Sequence, residues 1–290
     1  MHKRHFVLLV FLSGFFLTAC STTKLAYNNF PLWAPYYIDD YVDLDRKQEK
    51  LLDIQLTRFI EWHRVNELPE LQILLAMVQK DIEDSSLDYG RIQAYHNLSN
   101  RRFVNTVYGF IPTLAAVVPK LSDEQAKELK GIVDKKIEKA LRKSREGTSE
   151  QQLTRRAEKL EDAAEYWVGN INDRQRKLLR EMAGYQLEMR PVFNEFRAQI
   201  LTRLYAMIDN RRSIDLDAEL KLFARDFIYF NYPEKQWDIR LLLSRRFEVL
   251  NRLNTTLTDN QKAHLIDRLT DIQAEIQGLH GLSGIAHIHD

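Results

Sequence analysis

The sequence contains little cysteine, glycine and proline, and it has no excess of charge of either sign. One cysteine among 290 residues excludes an internal disulfide and any zinc site built from cysteines. Ten glycines and seven prolines are too few for a turn-rich β-sandwich or barrel, and they favour long helices. Lys and Arg number 42 against 41 Asp and Glu, so the net charge of +1 excludes the strong positive charge that nucleic-acid binding usually requires.

Sequence motifs of the common enzyme classes are also missing. The chain has no G-x-S-x-G elbow, no H-E-x-x-H, no phosphate loop and no dinucleotide fingerprint. We therefore predict no catalytic residues, no cofactor and no metal ligands. Catalytic groups scattered along the chain would leave no such motif, and an envelope hydrolase stays open as an alternative.

The first twenty residues predict a lipoprotein signal peptide. Lys3 and Arg4 precede an apolar run from Phe6 to Phe16, which is shorter than the about 20 residues that span a bilayer. The following Leu17-Thr18-Ala19-Cys20 resembles the bacterial lipobox, in which the cysteine is acylated on sulfur and becomes the first residue after cleavage. We predict a cleaved signal peptide over residues 1–19, with Cys20 as the lipid attachment site.

The residues after Cys20 bear on where the protein is held. Ser21 stands where an aspartate would resemble an inner-membrane retention signal, which favours an outer-membrane, periplasm-facing location. We interpret residues 20–42 as the lipidated cysteine and a short aromatic linker, since only Ser21 to Ala26, roughly 20 Å when extended, could serve as a tether. The linker's aromatic residues either lie in the membrane interface or pack onto the first helices, and we favour packing. They are Tyr27, Phe30, Trp33, Tyr36, Tyr37 and Tyr41.

Residues 43–277 predict an all-α domain, a multi-helix bundle of antiparallel helices. Apolar residues recur with the 3.6-residue period from Asp43 onward, and no run of five residues alternates like a strand. A third helix is expected to bend or end near Gly109 and Pro112. We interpret residues 278–290 as a flexible tail. The alternative is adventitious metal binding by the histidines of this tail, His280, His287 and His289. After a first helix from Asp43, the expected helices are 70–83, 87–107, 123–145, 149–168, 173–189, 191–209, 216–230, 234–253 and 259–277.

Three helix starts share one pattern: a capping residue, an aspartate in the first turn, and a glutamine at the third position. This is the capping box, in which the glutamine reaches back to the backbone N–H of the cap. We expect each glutamine to contribute at most about 1 kcal/mol. The pattern begins at Ser122, Asn172 and Thr258, with glutamines Gln125, Gln175 and Gln261, and Thr148 with Gln151 is a looser instance.

The capping pattern is similar to the Leu-Thr-x-x-Gln signature of periplasmic stress chaperones of the Spy and CpxP type, helical hairpins that cradle unfolded clients. A second resemblance covers essentially the whole chain. Leu25-Ala26-Tyr27-Asn28-Asn29, Trp33, Asp39-Asp40-Tyr41, Asp43-Leu44, Trp62-His63-Arg64 and Glu67-Leu68-Pro69 resemble an uncharacterised family of proteobacterial lipoproteins. That resemblance implies an anchored all-helical domain and no known activity.

Three further groups of residues allow a functional interpretation and a structural one. An acidic cluster near the start of the helical domain could supply Ca²⁺ ligands or precede and cap a helix, and we favour the capping role. It consists of Asp39, Asp40, Asp43 and Asp45. His63 and Glu67 stand at i, i+4, so they form either a catalytic or metal-binding pair or, as we favour, a hydrogen-bonded histidine without such a role. The aromatic stretch Phe223, Phe227, Tyr229, Phe230, Tyr232 and Trp237 either lines a client groove or, as we favour, packs in the core.

Taken together, these observations predict a lipid-anchored helical envelope protein that acts by binding a protein client or an envelope partner, not nucleic acid. A chaperone-like holder of unfolded clients is one alternative and an envelope hydrolase is the other. A deep polar pocket with converging, perturbed carboxylates or histidines would favour the hydrolase. A broad apolar concavity would favour the binder.

Overall fold

The computed structural model describes residues 20–280, and 86% of these residues are helical. No strand occurs in this part of the chain, so the predicted all-α multi-helix fold is confirmed. The α-helices are α1 Cys20–Asn28, α2 Phe30–Asp39, α3 Arg46–Asn66, α4 Leu68–Glu83, α5 Tyr89–Val117, α6 Asp123–Arg145, α7 Ser149–Val168, α8 Asp173–Glu188, α9 Arg190–Asp209, α10 Leu216–Ile228, α11 Gln236–Asn254 and α12 Asp259–His280. Short 3₁₀ helices cover Val118–Lys120 and Pro233–Lys235.

The segment 21–26, which the sequence suggested as a tether, lies within helix α1. α1 packs against α12, where Tyr27 lies on Leu68, Ile272 and Ile276. α2 packs against α3, and its Ala34 is buried beside Leu52. Burial of this apolar surface orders both helices onto the rest of the fold.

The aromatic residues of α1 and α2 divide between two faces. Phe30 and Trp33 pack on the cluster of Leu52, Leu56 and Val117, in agreement with the packing that we favoured from sequence. Leu32 and Tyr36, one turn apart on α2, remain 67% and 77% exposed. The packing onto the first helices that we favoured therefore holds for one face of α2, and the other face is exposed.

The third predicted helix is longer than expected, because α5 runs through Gly109 and Pro112 to Val117. Pro112 has no N–H to donate to the carbonyl of Tyr108, but its neighbours Ile111 and Thr113 are both buried, and tertiary packing outweighs the lost bond. At the other end of the chain, α12 continues to His280, three residues beyond the predicted end of the domain. His287 and His289 lie outside the described residues.

The predicted capping boxes are present, and a further one begins at Asp45. In each box the glutamine Oε1 accepts a hydrogen bond from the backbone N–H of the cap, at 2.8 Å for Ser122 and 2.9 Å for Asn172. The Asp45 carboxylate accepts from the backbone N–H of Lys47 and of Gln48. Of the acidic cluster 39–45, Asp45 therefore has the capping role that we favoured.

The capping glutamines are also paired with each other across the fold. The side-chain amides of Gln48 and Gln125 exchange two hydrogen bonds, at 2.9 and 2.8 Å. Those of Gln175 and Gln261 do the same, at 2.9 and 3.0 Å. Each pair joins the starts of two helices that are far apart in sequence, α3 to α6 and α8 to α12. The second pair is the more buried, with Gln175 only 1% exposed.

Candidate functional site

The site begins where α1 meets the C-terminal end of α3. The Tyr27 hydroxyl lies 2.9 Å from Nδ1 of His63. Burial lowers the pKa of His63 to about 4 and raises the pKa of Tyr27 well above its usual value, so at neutral pH the pair is uncharged. The interpretation of His63 as a hydrogen-bonded histidine agrees with this geometry.

Other residues of the same two helix ends add polar contacts. Arg64 donates a hydrogen bond to Oδ1 of Asn28 at 2.8 Å, and its guanidinium carbon lies 5.7 Å from the centre of the Tyr27 ring. The indole N–H of Trp33 donates to the carbonyl of Ala26 at 2.7 Å. Several of the residues that carry the lipoprotein resemblance in sequence, within 26–33 and 62–64, therefore lie together in space.

Next to this contact lies an open pocket of about 380 Å³, here called the Glu67 pocket. Glu67 is the one residue between α3 and α4, and its backbone N–H donates to the carbonyl of His63 at 3.0 Å. The remaining residues come from the last turns of α3, the first turn of α4 and the middle of α5. The lining consists of Trp62, Asn66, Glu67, Glu70, Arg102, Asn105 and Tyr108.

The pocket residues of α5 lie on one side of the helix, because Arg102, Asn105 and Tyr108 follow each other at intervals of three residues. The next residue, Gly109, lets α5 approach Trp62. A Cβ at this position would lie 2.0 Å from the indole Cζ3 of Trp62, well inside contact distance. Gly109 is thus required for the close approach that forms this side of the pocket.

The carboxyl group of Glu67 dominates the electrostatics of the pocket. Glu67 is only 3% exposed, and its Oε2 has no hydrogen-bond partner. Arg102 Nη1 lies 3.8 Å from this oxygen and 3.1 Å from Oε2 of Glu70. Burial raises the pKa of Glu67, against the opposing effects of Arg102 and of a hydrogen bond from Asn105, and the negative charge of Glu70 raises it further. The pocket thus holds a buried, incompletely satisfied acid beside an ion pair.

The structure does not bring His63 and Glu67 together as a pair. The side chain of His63 contacts Tyr27 on α1, whereas the carboxyl of Glu67 contacts Arg102 on α5. Nor do any three His, Cys, Asp or Glu side chains of residues 20–280 come close enough to hold a metal ion. The carboxyl groups of the site therefore lie in the Glu67 pocket and not at the contact of His63 with Tyr27.

The aromatic stretch 223–237 is partly core and partly surface. Tyr232 is buried in a cluster with Phe196 and Ile239, as the core interpretation predicts. Trp237, in contrast, is 82% exposed, with the Arg240 guanidinium 5.9 Å from its ring centre. Phe227 and Tyr229 are partly exposed, at 40% and 45%.

Three residues of the Glu67 pocket could not be found from the sequence. Arg102, Asn105 and Tyr108 lie on a helix whose apolar and polar positions alternate without a marked motif. Their common interval of three residues is the one signal, and it fits many surface helix sides equally well. Which side of α5 faces α3 depends on Gly109 and Trp62, a contact between residues far apart in sequence.

Comparison with known proteins places the chain in a family. Residues 40–218, more than half of the chain, match a family of unknown function, DUF6279. The chain belongs to this family. The matched range contains the whole Glu67 pocket and the Gln48–Gln125 pair. Searches of curated proteins and of solved structures gave no match.

Proposed function

We propose that this member of DUF6279 is a lipid-anchored protein of the outer membrane that faces the periplasm and acts by binding a polar ligand or partner in the Glu67 pocket. The observation that carries the binding role is the Glu67 carboxyl, which is buried in an open pocket; its Oε2 accepts no hydrogen bond and lies 3.8 Å from Nη1 of Arg102. A buried polar atom without a partner is costly, and a ligand that donates a hydrogen bond would remove that cost.

The anchor is supported by the sequence and by the course of α1. Cys20, the sole cysteine, ends the lipobox-like run and is the first residue of α1. Between Cys20 and Ile38 the single charged residue is Lys24, and Leu25, Leu32 and Tyr36 are exposed. Exposed Leu and Tyr side chains on α1 and α2, with few charges near them, suit the interfacial region of a lipid bilayer. Among the described residues, no helix is both long enough and apolar enough to cross a membrane.

The anchor is tested by labelling cells with a fatty-acid analogue. The wild-type chain should incorporate the label and be shortened by the signal peptide, whereas Cys20→Ala should do neither. Ser21→Asp is a matched control, because it leaves Cys20 in place and should move the labelled protein from the outer to the inner membrane. Label retained on Cys20→Ala would refute lipid attachment at this residue.

A hydrolase acting at the same pocket is the second candidate function. The specific observation is that Glu67 and Glu70 line the same pocket and that burial raises the pKa of Glu67, because two carboxyl groups in one site can share acid and base roles. The pocket shares the polar lining and the perturbed carboxyl expected of a hydrolase site, although it is open and not deep. Incubation of the protein with isolated envelope polymer separates the roles. Release of fragments by wild type and not by Glu67→Gln would replace the binding role with hydrolysis.

A chaperone-like role has a different supporting surface, the exposed aromatic residues around Trp237. Suppression of client aggregation by the purified protein tests it. If the role is correct, Trp237→Ser should weaken suppression without lowering the melting temperature, since the exposed ring contributes little to the core. Equal suppression by the variant would speak against this surface as a client site.

A further inference from the structure

We infer that the ligand of the Glu67 pocket is a hydroxyl-rich molecule, a saccharide of one or two rings. The inference rests on the proposed binding role and specifies the chemistry of the ligand. It follows from three properties of the pocket: the mixture of donors and acceptors, the balance of charge and the aromatic walls.

The pocket offers acceptors and donors side by side. Glu67 and Glu70 accept hydrogen bonds, Arg102 donates, and the amides of Asn66 and Asn105 do both. The Asn66 side-chain nitrogen already donates to the carbonyl of Trp62 at 2.8 Å, and this hydrogen bond fixes the orientation of the amide. A hydroxyl group both donates and accepts, and it can therefore satisfy Glu67 Oε2 and a neighbouring donor together.

Charged ligands satisfy the same pocket less well. An ammonium group only donates, so it would pair with Glu67 but leave the donors unmatched and lie close to the Arg102 guanidinium. A phosphate or carboxylate only accepts, so it would leave Glu67 Oε2 unpaired and would be repelled by Glu70. The ion pair between Arg102 and Glu70, at 3.1 Å, further neutralises the charge that would attract either kind of ion. A neutral polyol avoids both penalties.

The size and the apolar part of the pocket agree with a sugar. Its volume of about 380 Å³ is near the lower end of the range for ligand sites, roughly 300–1,000 Å³. Trp62 and Tyr108 line the pocket beside the polar groups, which supply most of its surface, so the aromatic part is small. A pyranose ring carries hydroxyls at its edge and C–H groups on its faces, so it matches a pocket with aromatic and polar walls.

The test is a binding titration with the full-length mature protein in detergent. Four probes are used separately: the N-acetylglucosamine disaccharide, maltose, cadaverine and inorganic phosphate. Calorimetry reports binding, and so does the intrinsic tryptophan fluorescence, to which the pocket residue Trp62 contributes. We expect at least one saccharide to bind, with affinity reduced at least tenfold in Glu67→Gln and unchanged in Glu150→Gln. Glu150 is an exposed glutamate that pairs with Arg180 away from the pocket, so it is a matched control.

A second variant keeps the test decisive if Glu67→Gln fails to fold. Asn66 is exposed, and Asn66→Ala should weaken saccharide binding while circular dichroism and melting temperature stay those of wild type. Binding of cadaverine or phosphate alone, weakened by Glu67→Gln, would overturn the ligand class and leave the binding role intact. Failure of all four probes to bind, or saccharide binding that is insensitive to both variants, would overturn the inference. The labelling of Cys20 is unaffected by either result and tests the anchor by itself.

Discussion

At the scale of single residues, the neutral state of His63 makes the fold sensitive to acid. Burial holds the pKa of His63 at about 4, below the value of about 6.5 in an unfolded chain. Between these values the unfolded chain binds a proton that the folded chain does not, so the free energy of unfolding falls as the pH is lowered. The contribution is complete above about pH 6.5 and is lost toward pH 4.

His63→Gln should therefore flatten the pH dependence of stability. Urea unfolding of wild type between pH 7 and pH 4 should show an additional loss of up to about 3 kcal/mol, which the variant lacks. His96, whose pKa is also lowered by burial, is retained in both proteins and cancels in the comparison. Identical slopes for the two proteins would mean that His63 is not held neutral in the folded state.

Gly109 and Gly131 allow a comparison of two helical glycines in different surroundings. Gly109→Ala places a methyl group on the Trp62 indole, and we expect a loss of about 1–3 kcal/mol from the displaced ring. At Gly131 no atom lies within 4 Å of the added Cβ, so Gly131→Ala should stabilise α6 by about 0.5–1 kcal/mol. Chemical denaturation of both variants checks the signs, and stabilisation by Gly109→Ala would contradict the described contact with Trp62.

At the scale of helices, the paired glutamines contribute more than their caps. Gln175→Ala removes the cap bond to Asn172, the bonds to Gln261 and one to the carbonyl of Thr256, all in a buried site. We expect a loss of about 2–3 kcal/mol. Gln151 belongs to an exposed capping box, so Gln151→Ala should cost about 0.5–1 kcal/mol.

Thermal melts of Gln175→Ala and Gln151→Ala measure this difference, and Gln261→Ala with the Gln175→Ala/Gln261→Ala double variant measures the coupling within the pair. The double variant should lose less than the sum of the single losses, because the pair is broken once. Strict additivity would show that the two amides act as separate caps.

The helices also show which local signals are sufficient. The capping boxes at Ser122 and Thr148 predict the starts of α6 and α7, and both predictions are confirmed. The predicted end of α5 near Gly109 and Pro112 is wrong. The helix continues to Val117, because burial of Ile111 and Thr113 stabilises it on both sides of Pro112. The pairing of Gln48 with Gln125 could not be predicted, since a capping box gives no information on what lies beside the glutamine in space.

At the scale of the whole molecule, α1 and α2 are part of the body. A chain that begins at Val42 lacks both helices and exposes Leu52, Leu56 and Val117 to water. Compared with a chain that begins at Ser21, we expect a melting temperature lower by about 10 °C, since several kcal/mol of burial are lost and each shifts the midpoint by roughly 2–4 °C. Binding of an apolar dye should rise in parallel. Equal melting temperatures would show that the two helices add no stability.

The two glutamine pairs link distant parts of the fold without a disulfide bond. Each pair joins the starts of two helices that are separated by a long stretch of chain. In extracellular proteins, such a connection is often made by a disulfide. Amide pairs form without an oxidant, exchange partners without an isomerase and do not respond to glutathione. The chain has only Cys20, so folding can finish in an oxidising or a reducing compartment alike, and the single thiol stays out of any competing bridge within the chain.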